Sequence, residues 1–404
     1  MEDLTITARG FDFEPAHAAM RRYVDADILA GVSCAVLIGR DLVDLKCVGW
    51  ADREQGIALR CDHLFRGFSN TKLVTTIAAL LLAEAGCFQL NDPVEAFIPQ
   101  LANRRVLRPG AATLDDTEPA RGPITIRHLL SHSAGLSYGI FDPGTLIYAA
   151  YNERNVLDPN TPLADMMDTL ARLPLVFHPG TGWEYSVATD VVARLIEVIS
   201  GQRFDRFLQS RVFDPLGMVD TGFTVPVEKQ HRLTAYYAGV DPEDPLQPGL
   251  VRMQGAPYAQ AYLRPFPWLS GGAGLVTSLP DMLALLRSLL PDGPTLLKPQ
   301  TIAWMMRNQL PEGVHINLSR WGRLEGMGFG LGGAITLAPS AFDPAALAGE
   351  FQWGGIAGTH WWISPRANLT GLLMTQRRMA FWHPYYFELK RLVYDAVARA
   401  SGPG

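Results

Sequence analysis

Residues 73–83, "LVTTIAALLLA", place apolar side chains on nearly every face of a helix, with only two threonines among them. A helix of that kind has no polar face to turn to water, so the rest of the chain must enclose it. With 404 residues, 48% of them apolar and 19% charged, the chain is long enough and apolar enough to do so. No apolar run approaches the roughly 18 residues of a membrane span.

The enclosed helix starts with chemistry. Ser69, Asn70, Thr71 and Lys72 read S-x-x-K, and of the five lysines only Lys72 has a serine three residues before it. Residues i and i+3 share a helix face, so the hydroxyl and the amine can meet. A helix N-terminus and burial both favour an uncharged amine able to take the serine proton. The serine N–H at a helix start is also free to donate into an oxyanion hole. The bland alternative is a capping serine with a solvated lysine one turn on.

Around this element the pattern predicts a helix over 12–30, then strands over 33–39 and 42–50 joined tightly near Arg40 and Asp41. From about 71 to 215 the periodicity is mostly helical, with loops at 107–123 and, further on, at 241–249. "TIRHLLSHSAG" reads as a short helix capped by Thr125 and stopped by Gly135. Val187, Val191, Val192, Leu195, Ile196 and Ile199 mark one face of a longer helix ended by Gly201. Another amphipathic helix is expected over 278–290. "THWWISP" and "LTGLLMTQ" return to strands, and a last helix is expected near 384–400. The fold class is therefore α/β: an antiparallel sheet flanked by helices, plus an inserted mostly helical domain. The sheet domain takes residues 1–70 and 216–404, and the helical insertion 71–215.

"GLSYG" (135–139) also fits the G-x-S-x-G pattern of many serine esterases. That pattern needs a strand before the serine and a helix after it. Ser137 instead follows a helix end and precedes a turn at 140–144, so it is read as a chance match. His128 and His132 have zinc-like i, i+4 spacing but lack the intervening Glu and a third ligand. No metal and no organic cofactor is expected. The net charge of −5 offers no footprint for nucleic acid. The N-terminus lacks a secretory h-region. Cys34, Cys47, Cys61 and Cys87 show no metal or redox spacing and read as buried free thiols. A cytoplasmic enzyme acting on a small molecule fits these features, with no membrane partner; its oligomeric state is not encoded in any recognisable motif.

"WEYSVATDVVARLIEVISG", "FQWGGIAGTHWWISP" and "ITIRHLLSHSAGL", together with S-x-x-K, resemble the serine β-lactamase-like superfamily, over most of the chain from about residue 12. Within it the chain is most similar to family VIII carboxylesterases and the fungal acyltransferases that acylate polyketide alcohols. The resemblance implies that Ser69 is the acylated nucleophile, Lys72 its general base and Tyr185 the proton shuttle. It implies that Trp353, Gly354 and Gly355 line the site, where the glycines let a substrate approach the backbone. Ile356 and Ser69 would supply the oxyanion N–H groups, and Tyr138 would border the pocket. Trp361 or Trp362 could shape it for a bulky acceptor, although adjacent strand residues face opposite ways.

Two departures narrow the chemistry. Penicillin-recognising relatives carry an Asn where Val187 stands, and a K-T-G lysine where this chain has Trp353. Losing an amide reader and a carboxylate reader disfavours an anionic β-lactam and favours an ester. The expected function is a carboxylesterase working through an acyl-enzyme on Ser69. An acyltransferase of the same machinery, a β-lactamase or peptidase type of amide hydrolase, and a non-catalytic scaffold on the same fold remain the alternatives.

Overall fold

The computed structural model describes residues 5–140, 144–254, 261–318, 322–340 and 343–400. Among them, nine strands form one antiparallel sheet. They are β1 (Thr5–Thr7), β2 (Gly31–Ile38), β3 (Asp41–Asp52), β4 (Ile57–Ala58), β5 (Met327–Phe329), β6 (Ala334–Thr336), β7 (Phe351–Gly355), β8 (Thr359–Ser364) and β9 (Leu369–Met374). The spatial order is β1-β3-β2-β9-β8-β7-β6-β5, with β4 paired to β3. The two ends of the chain meet at the β2–β9 pairing, where Ile38 faces Leu369 and Ser33 faces Met374. Hairpin β2–β3 turns at Gly39 and Arg40, and Gly39 takes the positive φ of 56° that this turn requires.

Strand alternation sorts the sheet into two cores. Val32, Cys34, Val36, Trp362 and Leu373 face helices α1 (Glu14–Asp25) and, at the chain's end, Pro384–Ala400. Ala35, Leu37, Cys47, Trp361 and Leu372 face the larger core, which contains helix α2 (Thr71–Glu84). As its composition requires, α2 is enclosed: every residue from Thr71 to Leu80 is buried. Full burial of each Leu or Ile there is worth about 1.5–3 kcal/mol. Two of the helix's threonines, Thr71 at its start and Thr75 within the apolar run, anchor it. Thr75 Oγ1 donates to the Gly271 carbonyl at 2.7 Å, and Thr71 Oγ1 accepts from the Leu275 N–H at 3.1 Å. The hydroxyls thus tie the helix to the 270–275 loop.

Boundaries differ from the sequence pattern in a few places. Helix α1 stops at Asp25, because Asp27 enters the left-handed region at φ 55° and turns the chain into β2. Helix α3 (Ile126–Leu130) has the Thr125 cap, closed by a reciprocal bond from His128. It ends before Gly135, since His132 is also left-handed at φ 56°. The 107–123 segment is not all loop: Arg105–Leu107 pairs with Thr117–Pro119. The 241–249 loop joins a second small hairpin, Tyr237–Gly239 with Leu250–Arg252. Helix α4 (Ala188–Ser200) ends at Gly201, φ 67°, and begins one residue after Val187, its cap. Helix α5 (Leu279–Arg287) is capped by Ser278. The final helix, α6, spans the expected 384–400. The turn expected at 140–144 lies partly outside the described residues.

Candidate active site

Ser69 sits in a 3₁₀ turn, Phe68–Asn70, that runs directly into α2. Phe68 has φ 43°, a left-handed backbone that costs a non-glycine residue about 1–3 kcal/mol. The short strand Leu64–Arg66 leads into this turn, so the chain reverses sharply at Phe68. Ser69 is left half-buried between the buried Phe68 and Asn70.

Three side chains from separate elements converge there. Lys72 Nζ lies 3.4 Å from Ser69 Oγ, one turn along α2. Tyr185 Oη donates to Ser69 Oγ at 2.6 Å from the segment just before α4. Trp353 Nε1, on β7, donates in turn to Tyr185 Oη at 3.4 Å. Lys72 Nζ stands 4.6 Å from the centre of the Tyr185 ring and 5.6 Å from that of Tyr138. The Tyr138 ring stacks on Tyr185 at 5.7 Å. A serine oxygen shared between an amine and a phenol is equipped to lose and regain a proton.

The sequence pattern missed the floor of this site. Lys72 Nζ donates to the Gly272 carbonyl at 2.9 Å. Behind it lies Asp190 in the first turn of α4, fully buried, with Oδ1 accepting from Ser270 Oγ at 2.6 Å. Among the described residues its Oδ2 has no hydrogen-bond partner. A Cβ at Gly272 would stand 3.0 Å from that oxygen and 3.2 Å from Lys72 Nζ. Glycine there keeps the carboxylate and the amine in each other's field. Burial raises the Asp190 pKa, while the Ser270 hydrogen bond and the Lys72 charge pull it back. The sequence does carry a signal, the glycine cluster "SGGAG". Nothing in one sequence pairs it with Lys72.

The W-G-G glycines answer to packing. A Cβ at Gly354 would stand 2.1 Å from His360 Nδ1, and one at Gly355 would stand 2.4 Å from the Gly67 carbonyl. Bare glycines thus let β7 close against the segment that carries Ser69. Gly354 lines the cavity in front of Ser69, whereas Gly355 does not. Ile356 lines it as well. Among the described residues the Ile356 N–H donates to no protein acceptor. The cavity is about 510 Å³, within the usual range for small-molecule sites. Its walls include Tyr138, Tyr185, Trp353, Tyr262, Phe266 and Trp268. Trp361 and Trp362 take no part: both are buried in the two cores on opposite faces of the sheet.

The decoy residues have other occupations. Ser137 is fully buried and donates to Glu184 Oε1 at 3.1 Å, which Tyr148 also reaches at 2.9 Å. Among the described residues no histidine is bonded to it. His128 Nδ1 accepts the Thr125 N–H, and His132 Nδ1 accepts from Ser186. Burial, with the Lys72 charge adding to it, keeps His132 neutral far below its ordinary range. Among the described residues no three His, Cys, Asp or Glu side chains gather as metal ligands. Of the four free thiols, Cys34 and Cys47 are buried, but Cys61 is half-buried and Cys87 exposed, because Cys87 follows the end of α2. No helix among the described residues is long and apolar enough to cross a membrane.

The site can be set beside known proteins. Esterase EstB of Burkholderia gladioli is 33% identical over 356 residues, 86% of each chain. Lovastatin esterase of Penicillium rubens is 32% identical over 348 residues, 79% of this chain and 84% of its own. Among solved structures, EstCE1, a hydrolase with promiscuous acyltransferase activity, superposes with a TM-score of 0.80 at 25% identity, covering 94% of this chain and 98% of its own. The Beta-lactamase family pattern matches residues 16–384. These likenesses bear out the resemblance carried by the S-x-x-K, Y-S-V and W-G-G motifs, and the chain belongs to the β-lactamase family.

Proposed function

We propose that this protein is a serine carboxylesterase that forms an acyl-enzyme on Ser69. It is an enzyme of the esterase and acyltransferase branch of its family, as the named relatives support. The observation that carries the reading is the Ser69 oxygen, held between Lys72 Nζ and Tyr185 Oη on the wall of an aromatic cavity.

Ser69 Oγ attacks the ester carbonyl as its proton passes to the Lys72–Tyr185 pair. The N–H groups of Ser69 and Ile356 receive the oxyanion. Tyr185, oriented by Trp353, returns the proton to the departing alkoxide. Water, activated by the same pair, then releases the acid. Asp190 acts through Lys72 as a positioning residue. Residues 71–215 form the inserted helical domain in this reading, and the cavity lies between it and the sheet. The free thiols accord with a reducing, cytoplasmic setting.

Acyl transfer to an alcohol is the second reading, favoured by a cavity roomy enough for an acceptor beside the acyl group. Val187, buried at the cap of α4, leaves no amide reader for a β-lactam.

A fluorophosphonate probe followed by peptide mapping tests the mechanism. The adduct is expected on the Ser69 peptide and absent in Ser69→Ala. An adduct that survives that substitution refutes the assignment. Adding an alcohol during turnover of a chromogenic ester separates the two reactions: a transferase forms the new ester faster than it releases acid.

A further inference from the structure

Among the described residues that line the cavity, all are uncharged except two, and both are arginines: Arg264 and Arg378. Each is exposed, so these residues belong to the rim of the cavity and not to its floor. Arg264 leans on the ring of Phe266, 5.5 Å from its centroid. The Arg378 backbone is pinned by its N–H to the Tyr237 carbonyl at 2.7 Å. Among the described residues neither guanidinium meets a carboxylate. Arginines elsewhere are regularly paired, as in Arg252–Asp52 and Arg232–Asp220. Acidic residues are plentiful too, at 40 against 35 basic ones. Two cations without a carboxylate partner, on an aromatic cavity that has no acidic side chain among its described lining residues, are therefore a local feature, opposed to the sign of the whole chain.

We propose that Arg264 and Arg378 form an anion-reading subsite, and that the preferred substrate is an amphipathic ester with a carboxylate remote from its scissile bond. The substrate assignment rests on the esterase reading above; the subsite does not. The apolar part of such a molecule fills the aromatic cavity, and its carboxylate stays at the rim. There the planar guanidinium forks donate to it. The cation missing from the W-G-G strand is thus supplied from other elements, at a different place relative to the serine.

Two measurements test this separately. The first compares p-nitrophenyl esters whose acyl chains match in length but end in methyl or in carboxylate. The quantity read is the ratio of kcat/KM for the carboxylate over the methyl member. This ratio is expected to fall about tenfold in Arg264→Ala and again in Arg378→Ala, and to fall with added salt. Lysine at either position should keep part of it. A ratio unmoved in the double alanine variant overturns the subsite. The second needs no turnover: decanoate and decanol are titrated calorimetrically into Ser69→Ala. Decanoate is expected to bind more tightly, and the double alanine variant to lose that preference. Equal binding of the two overturns the subsite even if the enzyme hydrolyses neither ester. Turnover without selectivity overturns the subsite and leaves the esterase reading standing.

Discussion

Ser69 and Ser137 are two serines in short catalytic-looking motifs, and their surroundings differ in kind. Ser69 is half-buried at a strained turn, faces a cavity and shares its oxygen with an amine and a phenol. Ser137 is sealed in the core, does not line the cavity in front of Ser69 and gives its hydrogen to a buried carboxylate. Glu184 there is already engaged by Tyr148, and burial raises its pKa. A serine becomes a nucleophile through a proton acceptor and an open approach, and only Ser69 has both. The motif that looks more familiar marks a structural hydrogen bond.

The sharpest way to break this comparison is to remove each hydroxyl. Ser69→Ala should lower ester turnover by about 10⁴-fold or more. Ser137→Ala should still label with the fluorophosphonate. Its cost should be in stability, about 1 kcal/mol for the lost hydrogen bond and the partner left behind. Denaturant unfolding would read it. Activity lost equally in both variants would sink the distinction.

Next in size are the groups around Ser69. Lys72→Ala and Tyr185→Phe should each reduce kcat by about 10³-fold, and the double variant by little more, since the two act as one unit. Asp190→Asn should have a smaller effect, about tenfold in kcat, with KM little changed. The amide keeps the Ser270 bond and removes the charge behind Lys72. A role limited to packing would leave the pH–rate profile in place. A positioning role moves it.

The contrast between Asp190 and Lys72 also shows what could be read in advance. S-x-x-K is legible because its two members are neighbours on one helix. The enclosed α2, the β2–β3 hairpin, the β8 and β9 strands and helix α6 were legible because hydrophobic periodicity is local. Asp190 and the loop that carries Trp268 and Gly272 reach the site from two segments far from Lys72 in sequence, and no spacing in a single chain joins them. The tryptophans of β8 show the opposite error. Large aromatics near a site motif invite a role in binding, yet strand alternation sends Trp361 and Trp362 into separate cores. The small hairpins at 105–119 and 237–252 were hidden in loop-like composition, because strands of three residues carry almost no periodic signal.

The smallest expected effect concerns acid stability, where the two neighbourhoods have opposite signs. His128 lies in the α3 capping box, its Nδ1 accepting the Thr125 N–H. Burial, and then the Arg127 charge, lowers its pKa to about 4. The unfolded chain therefore binds a proton near 6.5 that the folded chain refuses, so this contribution is lost as pH falls from about 6.5 towards 4. Glu184, beside Ser137, is raised by burial. It works against folding above its unfolded value, and that cost is relieved as pH falls through the raised value. Thermal or denaturant unfolding followed from pH 7 down to about 5 separates them. His128→Gln keeps a non-titrating acceptor at the same capping position. It should flatten the acid loss by up to about 1.4 kcal/mol per pH unit. Glu184→Gln should steepen it, because the relief from protonating the carboxylate is gone. An acid slope that is identical in wild type and His128→Gln would place the pH sensitivity elsewhere, with His63, His132 and His360 as the other histidines whose pKa burial lowers.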